Sequence, residues 1–185
     1  GETPNEEEEA EAATPARSAA TSEGSSNGVV DLAEAPMHQS FEEVFELRRM
    51  LGEGCFGIVH RCARRESGEE FAVKIVQKAG LEPLEQDCLE GELRLHKALP
   101  VHPHIVSLHN CFDQPDALKL VMDLCIGGDL YMALDDAKQR HRWRGGDFAL
   151  SEKVAAKIVQ QLLEGLAHCH VHSIAHRDVK PENIL

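Results

Sequence analysis

Leu51-Gly52-Glu53-Gly54-Cys55-Phe56-Gly57-Ile58-Val59 sets three glycines at the spacing G-x-G-x-x-G, with a valine two residues beyond the last. Glycines so spaced let backbone N–H groups approach phosphate oxygens where a side chain would collide. A dinucleotide-binding Rossmann loop uses the same three glycines, so the pattern alone decides nothing. The residues after it do. A Rossmann loop opens a helix, whereas Ile58 to Ala63 runs on as a strand into the tight turn Ser67-Gly68 and then into another strand. No Gly-Lys-Ser/Thr comes next, which excludes a Walker A loop. The stretch therefore reads as a glycine-tipped hairpin lying over a nucleotide.

Moving outward, apolar periodicity predicts strands near 46–53, 57–64, 70–76, 105–112 and 118–124, and helices over 83–99 and 152–171. In the second helix Ala155, Ile158, Val159, Leu162, Leu163, Leu166 and Cys169 recur at helical spacing, and Ser151-Glu152 marks its start. Strands first and a long helix last suggest a sheet-rich lobe followed by a helical one. The segment Leu134 to Ala149, with Lys138, Arg140, Arg142, Arg144 and Gly145-Gly146, reads as a solvated surface loop.

In Phe71-Ala72-Val73-Lys74-Ile75-Val76 a single cation sits inside an apolar run. Period-two geometry puts Ala72 and Lys74 on one face and Phe71, Val73 and Ile75 on the other, so Lys74 must snorkel or find a partner. The helix over 83–99 offers one. Its inward stripe reads Cys88, Leu89, Glu92, Leu95, His96 and Leu99, which turns Glu92 toward the apolar face. Glu90 instead neighbours Gln86, Asp87, Arg94 and Lys97 on a solvated face. The expected pair is Lys74 with Glu92.

Beyond the long helix, Ile174-Ala175-His176-Arg177-Asp178-Val179-Lys180-Pro181-Glu182-Asn183-Ile184-Leu185 contains H-R-D-x-K-x-x-N. Glycine hairpin, A-V-K strand, helix Glu, Gly127-Gly128-Asp129 after a strand, and this loop stand in an order that resembles eukaryotic serine/threonine protein kinases over about residues 45–185. The resemblance implies an α+β fold: an N-terminal lobe (41–124) with a five-stranded antiparallel sheet and the family's helix C, then the hinge and the first part of a helical C-terminal lobe (125–185). It implies ATP and Mg2+ as cofactors. Leu51, Gly52, Gly54 and Gly57 would close over the nucleotide, and Val59 and Ala72 would sandwich the adenine. Met122 would be the gatekeeper, and main-chain groups of Asp123 and Cys125 would bond the adenine edge. Asp129 would reach the ribose, cap the next helix, or do both. Lys74, held by Glu92, would contact the α- and β-phosphates; Asp178 would take or orient the substrate hydroxyl proton; Lys180 would neutralise the γ-phosphate; Asn183 would bind magnesium. Lys180 looks like the serine/threonine class, and Arg177 like kinases whose activation loop is ordered by phosphorylation.

Cys125–Leu130, Ser151–Ile158 and His176–Leu185 look most like the calcium-dependent and calmodulin-dependent group. Asp129 and Glu182 match positions where such enzymes place acids that prefer a basic residue upstream of the target Ser or Thr. Residues 45–185 contain neither an EF-hand loop nor a calmodulin-binding helix, so regulation by a calcium sensor is implied only from outside the chain. Ser173 stands where the family commonly has Gly. His168, His170, His172 and His176 cluster in the manner of metal ligands, yet no nearby Cys or acid completes a ligand set.

The remaining residues bound these expectations. Residues 1–40 are rich in Glu, Ala, Ser, Thr and Pro, hold nine acidic residues against one basic, and have no aromatic. They read as a disordered acidic tail ahead of a partial kinase domain at 41–185. A net charge of -13 disfavours nucleic acid and anionic membrane as partners. Six cysteines without paired spacing suit an intracellular, cytoplasmic setting. A chain opening on Gly1 reads as a fragment. It ends ahead of the D-F-G aspartate and activation loop that the resemblance calls for. Alone it is expected to bind nucleotide poorly, catalyse little and tend to aggregate. The alternative to an incomplete kinase is a truncated, noncatalytic binding or decoy module.

Overall fold

Runs of β-branched and aromatic residues separated by turn chemistry build the sheet. The computed structural model describes residues 39–54, 57–143 and 150–185. All but the last two residues of the expected tail, the hairpin tip Cys55-Phe56, and 144–149 lie outside the described residues. Two compact units are present, one comprising the described residues up to Leu124 with Gln160–Asp178, the other the described residues of Cys125–Val159 with Val179–Leu185.

In the first unit, β1 (Phe45–Gly54), β2 (Gly57–Arg64), β3 (Glu70–Gln77), β4 (Leu108–Asp113) and β5 (Ala117–Met122) form one antiparallel sheet in the order β1-β2-β3-β5-β4. The β2–β3 turn closes as expected at Ser67-Gly68, where Gly68 adopts φ 73° and donates its N–H to Arg64 O at 2.8 Å. Two strand ends differ from the periodicity. β4 starts three residues late because Ile105 N–H closes a turn onto His102 O. β5 ends early because Asp123 N–H leaves the ladder for Ser107 O.

Both faces of the sheet are covered, which is why β3 reads as an apolar run. One face carries Phe41, Phe45, Phe71 and Phe112 with Cys62, Val73 and Val121, the rings meeting stacked or edge-to-face at centroid separations of 5.5–6.0 Å. Phe41 comes from α1 (Phe41–Val44), a single turn closed by a reciprocal Ser40/Glu43 capping box. Glu42 on that turn hydrogen-bonds Lys119 and Gln114, and the Lys119 bond foremost holds its carboxyl at about 2.

On the other face Val76, Leu108, Leu118 and Leu120 meet Leu89 and Leu93 of α2 (Pro83–Ala98). The stripe expected for this helix needs correction. Leu89 and Leu93 pack, His96 bonds Val106 O at 2.9 Å, and Cys88, Glu92 and Leu95 are exposed. The 89–93 row is one helical step round from the expected face, because Leu93 rather than Glu92 fills the gap over the sheet.

α4 (Glu152–Val171) coincides with its predicted span. Ser151 Oγ caps it through Val154 N–H at 3.4 Å. Gly165 lets it lie close to the 102–105 turn, since a Cβ there would stand 3.0 Å from His104 O. The helix ends in a Schellman motif, with Ile174 N–H bonded to Cys169 O and Ser173 N–H to His170 O, both at 2.9 Å. Ser173 takes φ 60°, the left-handed conformation that explains the family's glycine. Ser173→Gly is therefore expected to stabilise the protein by roughly 0.5–1 kcal/mol, read as a higher denaturant midpoint at unchanged m-value; a lower midpoint would contradict it.

The second unit holds α3 (Leu130–Trp143) and a 3₁₀ turn at Pro181–Asn183. α3 overturns the expectation of a loop from Leu134, as far as Trp143. No Gly or Pro interrupts 130–143, and Ala133, Leu134, Ala137, Lys138 and Gln139 are good helix formers, so a high basic content did not signal irregular structure. Leu130 N–H bonds Ile184 O at 2.7 Å, tying the start of α3 to the 3₁₀ turn.

Candidate active site

The β1–β2 hairpin pairs Gly52 with Val59 and Gly54 with Gly57. Its glycines divide into two kinds. Gly57 has φ 127°, and a Cβ on it would stand 2.2 Å from Ile75 O, so the fold itself forbids a side chain there. Around Gly52 and Gly54 a Cβ would meet nothing within 4 Å among the described residues. Neither needs to be glycine for packing, so the reason lies in what approaches the hairpin. Leu51, at its base, is exposed.

Register carries the site across the sheet. Val59 pairs with Lys74 and Lys74 with Leu120, while Ala72 pairs with Met122. Paired residues share a face, so Val59, Lys74 and Leu120 form one row, with Ala72 and Met122 in the next. This is the α2 face, since Leu120 and Met122 pack there, and Phe71, Val73 and Ile75 lie on the opposite, aromatic face as period two requires. Lys74 is half-buried. Glu92, expected to point into the apolar face, is exposed beside the Leu89–Leu93 row.

At the end of β5, Asp123 is held by its side chain. Oδ2 accepts Ser107 N–H at 2.8 Å, and Oδ1 accepts the His109 Nε2–H at 2.7 Å. Burial alone would raise the Asp123 carboxyl, but the bonds from His109 and Ser107 outweigh it and hold it at about 2. The stabilisation from this carboxylate is present above its ordinary value of 3.8 and lost as the pH falls from there toward 2. Sequence reasoning missed both partners, because a lone Ser and a lone His in a strand carry no motif.

Asp178 belongs to the same unit as the sheet. It is exposed, its N–H bonds His176 Nδ1 at 3.3 Å, and the preceding Arg177 adopts φ 64°. A left-handed arginine costs free energy, and such strain gathers at functional loops.

Cys125, Asp129, Lys180 and Asn183 lie in the other unit. Cys125 is half-buried at the start of that unit. Asp129 Oδ1 accepts Met132 N–H at 2.7 Å, the N-cap bond of α3. Lys180 precedes the 3₁₀ turn and accepts Asn183 N–H at 3.0 Å, which fixes the main chain that carries the Asn183 amide.

The histidines regroup. His168 stacks on His102 at 4.7 Å and lies 4.6 Å from His172, its Nε2–H bonding Pro100 O at 3.0 Å; His104 pairs with Glu164 at 3.1 Å. Two of these rings come from the turn after α2, a long-range meeting that local spacing does not encode. Among the described residues no group of three or more His, Cys, Asp or Glu is placed to hold a metal. No helix among them is long and apolar enough to cross a membrane.

Comparison with known proteins agrees with this geometry. The protein kinase domain family matches residues 45–185. Calcium/calmodulin-dependent protein kinase type II subunit delta of Oryctolagus cuniculus is 37% identical over 145 residues, 78% of this chain and 25% of that protein. Calcium-dependent protein kinase 8 of Arabidopsis thaliana is 34% identical over 167 residues, 89% of this chain and 30% of its own length. The calcium/calmodulin-dependent protein kinase type II alpha chain of Drosophila melanogaster is 37% identical over 145 residues, again 78% of this chain and 25% of that protein. The chain thus spans under a third of the length of these relatives. With its glycine hairpin, A-V-K strand and H-R-D loop all inside the matched residues, the chain belongs to the protein kinase family.

Proposed function

We propose that this chain carries the nucleotide-binding sheet and catalytic loop of a serine/threonine protein kinase that transfers a phosphoryl group from MgATP to a protein hydroxyl. One observation carries the reading: Val59, Ala72, Lys74 and Met122 share a single sheet face beside a hairpin whose Gly52 and Gly54 have open space around them among the described residues.

Phosphoryl transfer asks a protein chiefly for positioning and charge neutralisation. Main-chain N–H groups at Leu51, Gly52, Gly54 and Gly57 would meet phosphate oxygens; Val59 and Ala72 would flank the adenine, with Met122 behind it. Asp123 and Cys125 would offer main-chain groups to the purine edge and Asp129 its carboxylate to the ribose. Lys74, with Glu92 turned inward to pair with it, would neutralise the α- and β-phosphates. Asp178 would orient the attacking hydroxyl and accept its proton, and Lys180 would offset charge on the γ-phosphate. The amide oxygen of Asn183 suits a hard cation, and it would hold Mg2+. When bound, that ion neutralises phosphate charge as the transferred group loosens.

The relatives' names, together with Asp129 and Glu182, favour a protein substrate with a basic residue ahead of the target Ser or Thr, and control by a calcium sensor outside these residues. Cys62, Cys88, Cys111 and Cys169 are free thiols, which supports an intracellular, cytoplasmic site of action.

Lys74→Met tests the reading. Loss of a charge-assisted phosphate contact is expected to weaken ATP binding about 10- to 100-fold by titration calorimetry in the folded variant. Wild-type affinity in the variant would count against it.

A further inference from the structure

We propose that His109 is a positioning residue for nucleotide selection, clamping Asp123 so that its main-chain carbonyl is presented to the purine edge. This rests on the reading of Asp123 given under Proposed function.

The clamp is built by an irregularity in the sheet. Leu108 pairs with Met122 and Asn110 with Val121, so His109 is an extra residue with no partner of its own on β5. A bulge re-aims a side chain, and bulges gather next to active sites. Here the ring packs edge-on against Phe71, 5.0 Å between centroids, with Nε2 at 2.7 Å from Asp123 Oδ1. Ser107 completes the hold from two sides, donating its N–H to Oδ2 at 2.8 Å and accepting Asp123 N–H at 3.1 Å.

The main-chain consequence is specific. Because Asp123 N–H is committed to Ser107, the group this residue can turn to a ligand edge is its carbonyl, an acceptor. An acceptor suits the exocyclic amino group of adenine. It opposes the oxygen that hypoxanthine carries at the same position. Three hydrogen bonds on one residue fix the direction of that carbonyl, and only the His109 bond depends on a side chain from the bulge. Without it the half-buried carboxylate keeps Ser107 alone and can swing, taking the main chain with it.

The experiment measures equilibrium binding of ATP and ITP, with melting temperature, for the full-length protein and for His109→Gln, His109→Leu and His109→Phe. His109→Leu removes the donor and is expected to lower the ATP-to-ITP preference about tenfold, the size of one misplaced hydrogen bond. His109→Gln keeps a donor and is expected to restore most of the preference. A merely structural role would change the melting temperature and leave the ratio alone. Should His109→Leu fail to fold, His109→Phe, which keeps a ring against Phe71 and removes the donor, reads the same ratio, with the same expected fall. A wild-type ratio in the folded His109→Leu or His109→Phe variant overturns the clamp while leaving the nucleotide site intact. Absence of nucleotide binding in the wild type overturns the site and the clamp together.

Discussion

Asp178→Asn in the full-length protein is expected to lower phosphoryl transfer to a serine peptide by about 10²–10⁴-fold, the contribution of one positioned proton acceptor. The substitution keeps the shape of the side chain and removes its charge. Asp178 is exposed, so the loss of its charge should change stability little. Its main chain is set by the left-handed Arg177 before it and by the bond to His176, neither of which the substitution touches. The loss should therefore appear in kcat, with ATP affinity unchanged by calorimetry. Activity within a factor of about three of wild type would remove Asp178 from the proton-accepting role.

The glycine hairpin yields the second large effect, and it separates residues that a motif treats alike. Gly57→Val is expected to destabilise the protein by about 3 kcal/mol or more, because it combines a backbone clash with a conformation that L-residues avoid. The added Cβ would stand 2.2 Å from the Ile75 carbonyl oxygen, and that carbonyl belongs to the central strand β3 and cannot step aside. Gly54→Ala meets no described residue within 4 Å. It should leave the denaturant midpoint within about 1 kcal/mol of wild type while weakening ATP binding, since the methyl group would occupy the room proposed for phosphate. Equal loss of stability in both variants would contradict this division.

Local chemistry made most of the fold legible. Period two in β3 placed Lys74 and Ala72 opposite Phe71 and Val73, and that is where the sheet has them. The 152–171 helix was readable because its apolar spacing runs for five turns between a serine cap and a left-handed exit. α2 was placed well along the chain and turned slightly wrong about its axis. Choosing between Glu92 and Leu93 as the inward residue requires knowing the shape of the gap over Leu118 and Leu120, which is a tertiary fact. α3 was missed because its charge pattern resembles a loop's and its clearest signal, the Asp129 cap, was also attributed to ribose binding. The single turn α1 was invisible for want of length, although Phe41 on it is among the most buried residues in the molecule.

The candidate site was legible as far as residues act singly. Motif order singled out the glycines, Lys74, Asp178 and Asn183 as candidates without any knowledge of the register. The supporting contacts were not accessible in that way. The His109–Asp123 bond joins residues fourteen apart through a bulge, and the His102–His168 stack spans a far longer loop. Such meetings are set by strand register and helix packing, and nothing in the local sequence announces them.

A bound nucleotide is expected to lay its phosphates against the sheet face that carries Lys74, and every assigned role depends on that placement. An ATP acyl-phosphate probe transfers its acyl group to an amine beside the bound phosphates, and mass spectrometry then identifies the modified lysine. The expected product is an adduct on Lys74 that excess ATP suppresses. Labelling of other lysines with Lys74 left unmodified, or labelling of Lys74 that ATP does not reduce, would contradict the placement.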